Sequence, residues 1–255
     1  MIPFVPSIVP NIVQALVLVV AFTLVLAPVL RKYPLPFYAF YAVLSAATLV
    51  DAVAQNAAAD MVLDLFVSCY VGIAFYLVVM FAGALPRKWW VTKRFLSVRS
   101  ELSVIGGFII AAHVCRVAFM IPLSTSIYWT FIWGDAAPVM MAAVTIVGVP
   151  LLICFLVPWV TSFRFVRKHM KHRTWKTVQS LAYPFMGLLV LQGILLSLGH
   201  AIYIGPGTAE FTDYVVNGCT YLIFGVAYVA LKVRMAVRKH AKQQKRAAAQ
   251  AGSVA

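Results

Sequence analysis

A candidate metal ligand, His113, and a candidate anion anchor, Arg116, stand three residues apart inside an apolar run, so they share one face of a helix. An imidazole in that setting can coordinate iron, and a guanidinium one turn away suits a bidentate contact with a heme propionate. The same pair has a plainer use. Arg116 would be balanced by Asp51 or Asp64, and His113 would hydrogen-bond across to a neighbouring helix. Gln179 and Gln192 form a second pair, thirteen residues apart, which at about 3.6 residues per turn returns to nearly the same helix face. Amides so placed hold helices together in lipid. His200, eight residues past Gln192, is the other imidazole near this level and offers a metal site with His113 and an aspartate.

The elements that must position these groups are apolar and long. Stretches of roughly 20 residues, enough to cross a hydrocarbon core of about 30 Å as helix, run at 8–30, 36–55, 61–85, 101–122, 137–160, 180–203 and 213–233, seven in all. Hydrophobic residues make up 63% of the chain and charged residues 11%, far from the balance of a soluble domain. The fold class expected is therefore all-α, a polytopic helical bundle, because backbone groups in lipid must be satisfied within each span. Counted from Glu101 at about 1.5 Å per residue, His113 lies just beyond the midplane, and Gln192 reaches nearly the same depth.

Charge fixes the expected orientation. All Lys and Arg except Arg116 fall in four clusters, at Arg31/Lys32, Arg87–Arg99, Arg164–Lys176 and Lys232–Arg246, after the first, third, fifth and seventh stretches. The acids, Glu101 apart, fall at the other ends. The positive-inside rule then puts the N-terminus outside and the C-terminus in the cytoplasm, in a bacterial cytoplasmic membrane. A net charge of +14 in short juxtamembrane loops meets anionic headgroups of the bilayer and is not a nucleic-acid surface. Tyr128, Trp129 and Trp133 suit the outer headgroup level, and Trp89, Trp90 and Trp175 the inner one. Met1–Pro10 lacks a basic n-region and a cleavage pattern, so the first stretch is expected to be retained. Cys69, Cys115, Cys154 and Cys219 lie within the stretches without CxxC spacing and read as small packing residues.

Pro86-Arg87-Lys88 through Arg99-Ser100-Glu101-Leu102-Ser103, running into Gly106-Gly107-Phe108 and Ala112-His113-Val114, resembles a signature of ferric reductase-like transmembrane domains: a basic loop, then an apolar run to a histidine. That superfamily includes the heme-binding membrane subunit of the periplasmic methionine sulfoxide reductase system. Trp175-Lys176-Thr177-Val178-Gln179-Ser180-Leu181-Ala182-Tyr183, with Gln192 beyond it, resembles the family's W-x-x-x-H-x-L-x-Y…H helix. The resemblance covers roughly residues 36 to 233. It implies a six-helix domain at 36–235, an additional helix at 1–35 and a basic cytoplasmic tail at 236–255.

The implied function is transmembrane electron transfer from a quinol or cytoplasmic reductant to an outer-face acceptor, with a separate redox protein as partner and quinone as a further cofactor. His113 would be the iron ligand of a single b-type heme, Arg116 its propionate partner, and Gln192 would line the opposite face. The family's two span-six histidines are here Gln179 and Gln192, so an inner heme is not expected, and the outer one would rest on His113, alone or with His200. The alternatives are a heme-free membrane scaffold for a redox partner, or an ion- or proton-coupled transporter using Asp51, Asp64 and Arg116. No Gly-rich phosphate loop follows a strand, so a partner must supply reducing equivalents. Neither a nucleophile–base pair nor HExxH is present to make the chain a hydrolase.

Overall fold

The structure is a computed structural model that describes residues 9–50, 60–117 and 133–251, with the backbone alone described at 60–62, 136, 242, 245–249 and 251. Asp51, Tyr128 and Trp129 lie outside the described residues. Within them, all regular structure is helical.

Helix α1 (Asn11–Lys32) ends where Tyr33 precedes Pro34, since the residue before proline avoids the helical region; Pro34 then opens α2 (Pro34–Ala47) at a position where its missing N–H costs nothing. The stretch expected at 61–85 is two helices, α3 (Asp60–Val67) and α4 (Tyr70–Ala82). They part at Cys69, whose φ of +66° makes it the one non-glycine residue in the left-handed region among the described residues. The stretch expected at 101–122 is α6 (Arg99–Cys115), preceded by α5 (Trp90–Ser97) and bent from it by 64°. Helix α7 (Ala137–Val160) matches its expected bounds and follows a 3-10 turn at Gly134–Ala136. Two short helices, α8 (Arg164–Arg167) and α9 (His172–Gln179), lead into α10 (Ala182–Ile204). Helix α11 (Ala209–Ala251) carries the basic Lys/Gln/Ala run as continuous helix.

Among the described residues, four helical segments are long and apolar enough to cross a membrane: Asn11–Lys32, Ala137–Val160, His172–Ile204 and Ala209–Ala241. The α5–α6 pair makes a fifth if it counts as one bent span. Helices α2 and α4 are apolar but have 14 and 13 residues, about 20 Å each at 1.5 Å per residue. Lipid-type patterning extends to the exterior. Val139 and Ile146 of α7 are each 72% exposed, a surface that water would penalise and hydrocarbon would not.

Helix α4 is central, with Val71, Gly72 and nearly every residue from Ala74 to Ala82 buried. It packs on α1 and α6, and α10 packs on α7 and α11. Small residues let α4 and α6 approach closely: a Cβ added at Gly106 would lie 2.7 Å from Phe75 Cβ, and one at Gly72 would lie 2.9 Å from Ile110 Cγ1. One apolar cluster, with Cys69, Tyr76, Ile110, Phe155, Phe185 and Leu189, joins α4, α6, α7 and α10.

Candidate functional site

His113, Arg116 and Gln179 lie where helices end. The break after Val67 removes the N–H that would continue the α3 ladder, and His113 Nδ1 stands 2.8 Å from the Val67 carbonyl. The ring nitrogen facing a carbonyl oxygen must carry the proton, so Nδ1–H donates and Nε2 is left with the lone pair. One turn on, Arg116 Nη1 donates to the Thr48 carbonyl at 3.0 Å, at the C-cap of α2. A cation at the negative end of a helix dipole is favourable there. Asp64, the other candidate partner of Arg116, accepts from Ser68 Oγ at 3.1 Å. His113 thus hydrogen-bonds across to a neighbouring helix, and Arg116 meets a helix-end carbonyl.

Gln179 does the same work at the opposite end of the bundle. Its Nε2 donates to the Pro158 carbonyl and to Thr161 Oγ1, both at 3.1 Å, tying α9 to the last turn of α7. Trp175 Nε1 adds a bond to the Thr161 carbonyl at 3.2 Å. Gln192 differs. Its Oε1 is buried and has no hydrogen-bond partner among the described residues, and its amide faces Gly148 of α7. His200 remains beyond it on an unbroken α10, bonded through Nδ1 to the Leu196 carbonyl of its own helix at 2.8 Å. Its ring stacks on Tyr214, with centroids 4.6 Å apart and planes at 17°, and meets the Trp133 ring edge-on at 5.7 Å. The structure therefore does not bring His200 to the level of Gln192.

A heme held between α6 and α10 requires a flat slot with a donor on each wall. At this level α6 gives Ile110 and Val114 to the apolar cluster that also holds Leu189 of α10. Toward the basic end the interior is filled with rings. Trp159 stacks on Phe155 at 5.5 Å and 13°, while Tyr76 contacts Phe155 at 5.6 Å and Phe185 at 5.2 Å. Tyr76 OH donates to the Ser103 carbonyl at 3.2 Å, so this packing is anchored. Nδ1–H donation to a backbone carbonyl is how iron-binding histidines are usually oriented, but Gln192 stands where the resembled family has a second ligand, and His200 stays beyond it, bonded to its own helix. Among the described residues, the side chains at this level do not fit a heme between these helices. Among the described residues, no three of His, Cys, Asp and Glu converge as a metal site.

Two groups central to this arrangement were not picked out from the sequence. Glu101, 4% exposed, accepts from Arg164 Nη2 at 2.6 Å and from Ser100 Oγ at 2.8 Å. That bond holds the Arg164 guanidinium's pKa above the ordinary arginine value. Glu101 is the single acid at the basic end, which was the available signal. Gly107 is the other, its open face filled by the Trp159 indole; an adjacent Gly-Gly in an apolar run was the available signal.

No family model matches the chain, and no solved structure does. A protein of Treponema pallidum (strain Nichols), described as uncharacterized, is 28% identical over 149 residues. The match covers 58% of this chain and 38% of that relative.

Proposed function

We propose that the chain is a seven-span protein of a bacterial cytoplasmic membrane, N-terminus outside and C-terminus in the cytoplasm, that serves a transmembrane electron-transfer system as a heme-free anchor for a separate redox protein. The ferric reductase-like signatures and the alternating basic clusters support the build and orientation. One observation carries the heme-free part: Gln179 and Gln192 stand where the resembled family has its span-six heme ligands, and Gln179 bonds the helix-end carbonyl of Pro158. The rings of Tyr76, Phe155 and Trp159 occupy the interior beside them. In this reading the chain holds its partner at the membrane, and the partner carries the redox group.

The test uses right-side-out membrane vesicles of the host organism and ferricyanide, an acceptor that does not cross the bilayer. Vesicles lacking the chain are expected to reduce ferricyanide more slowly, and re-expression of wild-type or His113→Asn protein is expected to restore the rate equally. An unchanged rate on deletion contradicts the electron-transfer role and leaves the transporter reading. Restoration by wild type but not by His113→Asn contradicts the heme-free part.

A further inference from the structure

We propose that the cleft between α1 and α5 at the basic end of the bundle binds the phosphate of an anionic phospholipid headgroup. The cleft has a volume of about 310 Å³, and Arg31, Lys93 and Arg94 all line it. No acid does. Three cations without a counter-charge around one opening form a site for a compact anion, and basic pockets beside spans at the cytoplasmic boundary are where acidic headgroups bind. Arg94 supplies a second, independent observation. Its Nε–H is buried and has no acceptor among the described residues, an orphaned donor that a phosphate oxygen would satisfy. Its guanidinium is held near the opening by Trp90, with the guanidinium carbon 5.4 Å from the ring centroid.

The surroundings favour a lipid over a free anion. Ala27 and Pro28 make the wall on α1. In line with Pro28 on the same face of α1, Leu24 is half-buried and Ala21 and Val17 are exposed, Val17 to 63%, an apolar stripe that leads up to Arg31. The cleft sits where that stripe meets Arg31, so an acyl chain leaving a headgroup bound there would lie along apolar surface. Trp90, 61% exposed, belongs at the same interfacial level. Helix α5 itself, bent 64° from α6, is what brings Lys93 and Arg94 back to α1.

This inference rests on the membrane reading, and the experiment separates the two. The full chain is reconstituted in vesicles of phosphatidylcholine alone or with phosphatidylglycerol, and phosphatidylglycerol carried through detergent extraction is counted by native mass spectrometry. Wild-type protein is expected to retain it. The variant R31Q/K93Q/R94Q is expected to bind it about a hundred-fold more weakly, at about five-fold per cation. R94K keeps the charge that guides insertion but lacks the Nε–H, and is expected to lose several-fold. The control R234Q/R238Q/K239Q, on the exposed basic part of α11, is expected to retain the lipid as wild type does. Equal retention by R31Q/K93Q/R94Q overturns the site, as does equal loss in the α11 control, which would show diffuse attraction. Inorganic phosphate stabilising the protein in phosphatidylcholine vesicles as much as phosphatidylglycerol does would overturn the lipid as occupant. Failure of wild-type protein to enter either kind of vesicle would overturn the membrane reading itself.

Discussion

Gly107→Ala is expected to lose most of its folded, detergent-soluble protein, because the added Cβ would overlap the Trp159 indole. The indole has little freedom to yield. Its Nε1 donates to the Val104 carbonyl at 3.2 Å, its ring stacks on Phe155, and its edges meet Phe108 at 5.7 Å and Phe163 at 5.8 Å. Overpacking a tight interior costs about 1–3 kcal/mol, and this site belongs at the upper end. Alanine's better helix propensity returns about 1 kcal/mol at most, so the clash decides the sign. Gly187→Ala in α10, with nothing within 4 Å of the new Cβ, is expected to be neutral or stabilising. Thermal unfolding in detergent, followed by size-exclusion profile, measures both. Adding Trp159→Phe to Gly107→Ala should recover part of the loss. Equal stability of Gly107→Ala and wild type would mean that the indole does not occupy that face of α6.

The second large effect is expected at Arg164→Ala. Glu101 is buried at the start of α6, and removing its guanidinium leaves a carboxylate held by the Ser100 hydroxyl. Breaking a fully buried pair from one side costs about 3–5 kcal/mol. Arg164 is 64% exposed, so water enters as it leaves, and about 2 kcal/mol is the expected loss. Glu101→Gln removes the buried charge while keeping shape and the Ser100 contact, and is expected to cost about 1 kcal/mol. The double variant should then be no less stable than Arg164→Ala alone, which a double-mutant cycle measures as a favourable coupling between the two side chains. Additive losses would show that the carboxylate is not compensated by Arg164.

Much of the fold is legible in the sequence because it follows from composition and period. Ala137–Val160 has no charge to interrupt it, and the basic clusters at Arg31/Lys32 and after Arg164 fall at helix ends. The break at Cys69 carries no such signal. Neither glycine nor proline marks it, and a cysteine at φ +66° is a consequence of packing, since Cys69 is 4% exposed within the cluster around Tyr76. The bend between α5 and α6 is partly legible, because Lys93 and Arg94 cannot continue an apolar span. The candidate site divides the same way. Which residues are polar inside apolar runs is visible at once, whereas their partners are distant backbone carbonyls: Val67 is 46 residues from His113, and Thr48 is 68 from Arg116. A carbonyl leaves no mark in a sequence, so the same histidine reads equally as a ligand or as a helix cap.

The central claim is that His113 closes the end of α3 and does not grip iron. Its most direct test is the visible spectrum and thermal unfolding of wild-type, His113→Ala and His113→Asn protein, each produced with and without added heme. The asparagine amide can place an N–H where Nδ1–H stood. The expected result is colourless wild-type protein, a loss of about 1–3 kcal/mol in His113→Ala from the orphaned Val67 carbonyl, and recovery of much of that loss in His113→Asn, all independent of heme supply. A stoichiometric Soret band in wild-type protein that is absent from both variants, with no recovery of stability by asparagine, would contradict it.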